Sequence, residues 1–484
     1  MNNAIRHTWV VSVALFLSLF VALSLIQVVL ADDLNSRDEN ARQTIANAGA
    51  PRGPITVDGA PIVESVPSDH TQYDFQRVYH EPELYSGITG FFSVTGSSSG
   101  LESELNDYLS GQSDSQFFDR ITALFTGRTM QGAQVELTLD GELQQLAYDL
   151  IPEDRRGTIV VTDVTTGEIR AMASKPSYDP NDLAVHSASE FEEAQQRLEE
   201  QPGLSIWTNR ALNMPVAPGS TFKLVDTLAM LESGDYDLDT ELDVPETLDL
   251  PNTEHGLENF ADGGCHQREQ AEFIWIFAQS CNTPFAEAAM ELGQDEILAA
   301  AEAFGWNQSI EVPLSTTPSR FPTDELSDDV LALSSIGQQD VTATAMQLNM
   351  AAAAIANDGT MMHPQLVDTI RGSDLQILQQ PSPEVLNEVM DSSTASDITE
   401  MMVETVESGT GFRAQSERFD VAAKTGTAEI GDDDGLVNSW ITGFAPADDP
   451  QYAVTVVYER IELSEGSQLT GSQMLTMLEA VIEE

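Results

Sequence analysis

The chain has 484 residues, room for two or three domains with a sizeable core. Acidic residues number 79 against 21 basic ones, giving a net charge of −58. That balance argues against nucleic-acid binding, which needs a basic face. It fits a hydrated surface suited to salty surroundings, where screening relieves like-charge repulsion.

Arg6 and His7 precede an apolar run from Trp9 to Ala31, followed by Asp32 and Asp33. The run is long enough to cross a bilayer as a helix, and its flanks favour a cytoplasmic N-terminus. A cleaved signal peptide is the competing reading, since Val29 and Ala31 are small enough for a cleavage site; signal-peptide cores are usually shorter, so residues 1–31 are read as an uncleaved anchor. Everything after it is then extracytoplasmic. Residues 32–150 form a mixed pedestal. "RGPITVDGAPIVESV" (52–66) has two β-like runs about an Asp58–Gly59 turn, and "FFSVTGSSSG" (91–100) reads as a strand ending in a turn. "SELNDYLSG" reads as helical.

From about residue 151 the pattern changes. "GTIVVTDVTTGEIRAMAS" (157–174) is a hairpin about Thr166–Gly167. Helical stretches follow: "STFKLVDTLAMLES", "QAEFIWIFAQSCN", "PFAEAAMELG", "DEILAAAEAFG" and "AMQLNMAAAAIANDG". Several of them close on Gly. "FDVAAKTGTAEI", "SWITGFAP" and "YAVTVVYER" read as strands, and "SQMLTMLEAVIEE" as a final helix. Early strands, a helical middle and late strands point to one α/β domain, residues 151–484, whose sheet joins both ends of the segment. Cys265 and Cys281, in an exported chain, read as one disulfide. Two sulfurs without clustered histidines make a poor metal site, so neither metal nor cofactor is expected.

Only three lysines occur in the chain, and two of them stand in polar motifs. Ser220 and Lys223 lie three apart in "PGSTFK", so they share a face if this is the first turn of a helix. A serine hydroxyl needs a base, and lysine serves as one if burial or a nearby cation lowers its pKa. "QSCN" offers Ser280 as a proton relay and Asn282 as a partner for a substrate amide. "AKTGT" offers Lys424, Thr425 and Thr427 to a carboxylate, with Gly426 where backbone and ligand approach closely.

S-x-x-K, a Ser-x-Asn triplet and K-T-G in this order are the signature set of penicillin-binding proteins and class A β-lactamases. The chain resembles a class B penicillin-binding protein, of the actinobacterial penicillin-binding protein A type, over nearly its whole length. "RGPITVDG" is similar to the start of that family's pedestal, "GFFSVTGSSSGLE" to its linker, and "MASKPSYDPN" to the opening of its transpeptidase domain. "SIGQQDVTATAMQ" is similar to a later segment. Ala345 stands where the family usually has proline, and Ala423 where glycine often precedes the K-T-G lysine.

The resemblance implies an α/β (α+β) transpeptidase fold with a central antiparallel sheet flanked by helices. It also implies a peptidoglycan D,D-transpeptidase that cross-links stem peptides in cell wall synthesis. Ser220 would attack the carbonyl between the terminal D-alanines, Lys223 would take its proton, and D-Ala would leave protonated through Ser280. The backbone N–H groups of Ser220 and Thr427 would form the oxyanion hole. Asn282, Lys424, Thr425, Gly426 and Thr427 would bind substrate, and β-lactams would acylate Ser220. Partners would be donor and acceptor stem peptides at the membrane, and division or elongation proteins.

Rival readings are a serine β-lactamase, a D,D-carboxypeptidase, a β-lactam sensor and an inactive division scaffold. A class A β-lactamase needs a glutamate in E-x-x-L-N after the second motif; here that pattern runs from Glu102 to Asn106, ahead of Ser220. Intact motifs argue against a dead scaffold, and the short segment ahead of the anchor against a sensor.

Overall fold

The computed structural model describes residues 3–26, 30, 51–95, 97–117, 121, 122, 125, 131–253, 256–260, 264–310, 312–431 and 434–483. Helix α1 (Asn3–Ser24) is exposed from Ile5 to Leu23, and Ile5–Ser24 is long and apolar enough to cross a membrane. The rest of the expected anchor, 27–29 and 31, and the start of the pedestal, 32–50, lie outside the described residues.

The pedestal is built on β1 (Ile55–Val57), β2 (Ala60–Pro67), β3 (Phe75–Tyr79) and β4 (Gln134–Leu137). β1 and β2 form the hairpin expected about Asp58–Gly59. The second sheet begins with β5 (Arg156–Asp163) and β6 (Ile169–Lys175), the hairpin expected about Thr166–Gly167. Two later strands, β7 (Val367–Arg371) and β8 (Ile377–Gln379), return to the pedestal and complete a six-stranded sheet in the order β8-β7-β4-β1-β2-β3. Among these pairs only β1–β4 is parallel. The two sheets are therefore interleaved in sequence.

The pedestal contains a buried charge cluster. Arg52 Nε donates to Glu102 Oε2 at 2.9 Å, and Arg77 Nε to Glu102 Oε1 at 2.5 Å. Burial pushes the Glu102 carboxyl up, but the two guanidinium groups outweigh it and hold it below its ordinary value. Glu102, the first residue of the misplaced E-x-x-L-N, is thus a structural anion of the pedestal.

The last three strands are β9 (Ala422–Glu429), β10 (Val437–Ala445) and β11 (Tyr452–Ile461). They join the first hairpin as an antiparallel five-stranded sheet, β9-β10-β11-β5-β6. Successive side chains on a strand face opposite ways. Ile159 and Val161 accordingly pack with Met474, Met477 and Leu478, and Val160 belongs to the core on the other side with Leu348, Ala351 and Ala352.

The helices that frame the site and this sheet include α2 (Lys223–Ser233), α3 (Phe273–Ala278), α4 (Thr283–Leu292), α5 (Gln294–Ala303), α6 (Ala345–Ala356), α7 (Ser392–Glu407) and α8 (Leu463–Glu483). α6 is buried against β5, β10 and β11, and α8 covers the same sheet with the Met474 face. α7 packs against both α3 and β9, which sets the second and third motifs beside each other.

Three expectations need correction. Among the described residues of 91–100 no strand forms, only a bridge between Phe92 and Ser98, because Phe91 turns into a small core with Tyr178, Phe191 and Ile206. Gln270–Glu272 is a strand paired with Glu241–Asp243, and the helix begins at Phe273. The final helix begins at Leu463, nine residues earlier than "SQMLTMLEAVIEE".

Candidate active site

Ser220 sits in a 3₁₀ turn, Gly219–Phe222, that leads directly into α2. With three residues per turn, a 3₁₀ helix stacks positions i and i+3, so Ser220 and Lys223 share a line even more closely than in an α-helix. The turn is fixed from several sides. Thr221 Oγ1 donates to Pro218 O at 2.8 Å, Gly219 N to Gly337 O at 3.0 Å, and Trp440 Nε1 to Ala217 O at 3.0 Å.

β9 presses on this turn. A Cβ on Gly219 would lie 2.2 Å from Thr427 O, and one on Gly426 would lie 2.6 Å from Pro218 O. Gly426 is therefore required first by the packing of β9 on the Ser220 turn. β9 is also the edge of its sheet, with only β10 beside it.

Lys223 is fully buried. Its Nζ donates to Ser280 O at 2.8 Å, Cys281 O at 2.9 Å and Asn282 Oδ1 at 2.8 Å. Burial, then the charge of Lys424, push its pKa well below the ordinary lysine value, although Asp226 opposes them. The three oxygens also favour the ammonium, so the shift reflects burial working against good hydrogen bonding. Among the described residues no hydrogen bond joins Ser220 Oγ to Lys223 Nζ.

Ser280 is reached by both lysines. Lys424 Nζ donates to Ser280 Oγ at 2.8 Å, and burial pushes the Lys424 pKa down to about 7. Ser280 has a left-handed backbone, φ 60°. Such a conformation in a non-glycine residue costs roughly 1–3 kcal/mol and tends to mark functional sites. Here Ser280 N bonds Phe277 O at 3.0 Å, and the disulfide Cys265–Cys281 adjoins it. Lys223 and Lys424 also lie 5.3 Å and 5.2 Å from the rings of Phe285 and Phe277, whose π faces attract cations.

The structure thus brings Lys223, Ser280, Asn282 and Lys424 into one hydrogen-bonded chain, with Ser220, Gly426 and Thr427 on the contact between the turn and β9. Thr425 stands slightly apart: its Oγ1 pairs with Thr410 Oγ1. Thr410, just after α7, was not singled out from the sequence and carries no motif that would reveal it. Asp226, one turn beyond Lys223, was also missed; both of its oxygens are buried without a hydrogen-bond partner.

The chain that carries this serine turn and these two buried lysines matches a known family. The model of the penicillin-binding protein transpeptidase domain matches residues 157–477, two thirds of the chain. The chain belongs to that family. The penicillin-binding protein A dimerisation domain also matches, over residues 52–135. The chain is 35% identical over 467 residues to the peptidoglycan D,D-transpeptidase PbpA of Mycolicibacterium smegmatis, covering 95% of this chain and 94% of that protein. It is 33% identical over 469 residues to PbpA of Mycobacterium tuberculosis H37Rv, with the same coverage. The imipenem acyl-enzyme structure of penicillin-binding protein A from M. tuberculosis superposes with a TM-score of 0.84 at 32% identity, over 90% of this chain and 100% of that one. The corresponding penicillin G acyl-enzyme gives 0.81 at 33%, over 90% and 99%. The penicillin-binding protein fold, including the central antiparallel sheet and the pedestal, is the one the sequence resemblance implied.

Proposed function

We propose that this penicillin-binding protein is a membrane-anchored peptidoglycan D,D-transpeptidase that works through an acyl-enzyme on Ser220. The observation that carries the residue assignment is the meeting of two buried lysines at Ser280, one on its carbonyl and one on its hydroxyl.

Ser220 Oγ attacks the carbonyl between the last two D-alanines of a donor stem. Its proton passes to Lys223, which burial disposes to the neutral form. Lys223 reaches the hydroxyl by exchanging one of its three present acceptors for Ser220. The oxyanion forms against the N–H groups of Ser220 and Thr427. The peptide C–N bond breaks, and the leaving D-Ala nitrogen takes a proton from Ser280 Oγ, which Lys424 resupplies. Lys424, Thr425 and Thr427 hold the terminal carboxylate, and Asn282 holds a stem amide. The free edge of β9 pairs with the extended stem by β-augmentation. An acceptor amine then attacks the ester carbonyl; the amine's proton passes through Ser280 Oγ back to Lys424, the ester C–O bond breaks as the new amide forms, and Lys223 returns the proton to Ser220 Oγ.

In this reading residues 1–31 anchor the chain with a cytoplasmic N-terminus, 32–150 are the pedestal, and 151–484 are the catalytic unit, extracytoplasmic in the membrane-bound protein. β7 and β8 lend the pedestal two strands from the catalytic segment. Division or elongation proteins would bind alongside. The test is incubation with a D-Ala-D-Ala stem peptide, with and without an amine acceptor. A cross-linked product with release of D-Ala supports transpeptidation; hydrolysis alone, with acceptor present, would make it a carboxypeptidase.

A further inference from the structure

Asn282 occupies the N-cap position of α4 yet does not cap it with its side chain. An N-cap asparagine normally accepts from the second or third backbone N–H of its helix. Here the second residue is Pro284, which has no N–H, and the Asn282 amide is turned away. Its Oδ1 accepts from Lys223 Nζ, and its Nδ2 donates to Glu258 O at 3.2 Å.

Two other backbone donors at the start of α4, those of Asn282 and Thr283, are taken by Asn259. This side chain is 4% exposed and lies on the segment leading to Cys265. Its Oδ1 accepts from Asn282 N at 2.7 Å and Thr283 N at 3.1 Å. Its Nδ2 donates to Pro245 O and Thr283 Oγ1, each at 2.9 Å. An amide has two donor hydrogens and two acceptor lone pairs, and all four are used. Its orientation is fixed too, because two N–H groups can only donate and the Pro245 carbonyl can only accept.

We infer that Asn259 is a positioning residue for acylation: it holds the backbone N–H groups of Asn282 and Thr283 and so fixes the Asn282 amide where it meets Lys223 and the substrate. Without it, the backbone at Asn282 is no longer pinned, and Lys223 loses one of the three oxygens that aim it. The inference rests on the reading that Asn282 and Lys223 act in acylation of Ser220.

The test is a double-mutant cycle on the full chain, read as the second-order rate of labelling by a fluorescent penicillin, with folding followed by circular dichroism. Asn259→Ala lowers that rate roughly ten- to hundredfold, the scale of a small misplacement of catalytic groups. In an Asn282→Ala background the same change costs less than about threefold, because coupled residues are not additive. If Asn259→Ala does not fold, Asn259→Leu, of similar shape but without the acceptor oxygen, runs the same cycle. An unchanged labelling rate in a folded Asn259 variant, or full additivity with Asn282→Ala, overturns the inference while leaving the mechanism standing. An Asn282→Ala rate equal to that of the parent overturns the mechanism and the inference with it. As a control for general destabilisation, Asn349→Ala removes another buried amide, one that donates to Val160 O and Ala453 O within the sheet core. It should lower the melting temperature without the coupling to Asn282.

Discussion

Lys223 Nζ lies 2.8 Å from Asn282 Oδ1, which ties the first motif to the second. The ammonium is held by oxygens on one side of the cleft while burial pushes it toward neutrality. Lys223→Arg should therefore be nearly inactive in β-lactam acylation, since guanidinium keeps its proton and cannot serve as base. In the parent, acylation should stay fast at neutral pH and fall on the acid side as Lys223 is protonated, well below the ordinary lysine range. A rate that keeps rising to about pH 10, where an unperturbed lysine titrates, would contradict that role.

Lys424 should set the alkaline side. Burial brings it down to about 7, so in the free enzyme it loses charge as pH rises past neutrality. The attraction for a substrate carboxylate then weakens. A bound carboxylate restores the proton, so the loss should appear in KM and kcat/KM and much less in kcat. Initial rates of stem-peptide turnover from pH 6 to 9 check this; a KM flat across that range would not fit.

The disulfide joins the segment after Asn259 to Cys281, between Ser280 and Asn282. Its removal opens a loop with a sequence separation of 16 residues. The chain-entropy model gives about 3 kcal/mol for a loop of about that length. Cys265→Ser should lower stability by up to about that amount and also slow acylation, because Cys281 O is one of the acceptors of Lys223. Urea melts and penicillin labelling of the same samples measure the two effects. Denatured, unreduced parent protein should show no free thiol.

Asp226 should make stability depend on pH. Burial raises its pKa well above the carboxylate range, with Lys223 opposing. At low pH folded and unfolded chains both hold the proton. As pH rises past about 4, the unfolded carboxyl ionises and the folded one does not, so stability is lost until the folded pKa is reached. Asp226→Asn removes this titration. The melting temperature of the variant relative to the parent should increase between pH 4 and 8; a constant difference would mean that Asp226 is ionised in the fold.

The three motifs were legible because their chemistry demands unusual residues in a lysine-poor chain. The sheet was legible where apolar residues filled both faces, as at Ile159, Val160 and Val161. Residues 91–100 misled because Phe91 serves a separate small core, and an apolar residue in sequence does not say which surface it meets. The start of α8 was hidden by Gly466, a weak helix former; a Cβ there would lie 2.6 Å from that of Ser439 on β10, so close packing on the sheet offsets its propensity. Thr410 and Asn259 pair with residues well away in the chain, and Asp226 stands out by its burial beside Lys223; no local pattern marks them.

The central claim is that Ser220 alone is the nucleophile. Fluorescent penicillin labelling of the parent and of Ser220→Ala, followed by peptide mapping, tests it most directly. The account predicts one labelled peptide in the parent, acylated at Ser220, and none in a Ser220→Ala variant with an unchanged melting curve. Labelling that survives the substitution, or maps to Ser280, would contradict it.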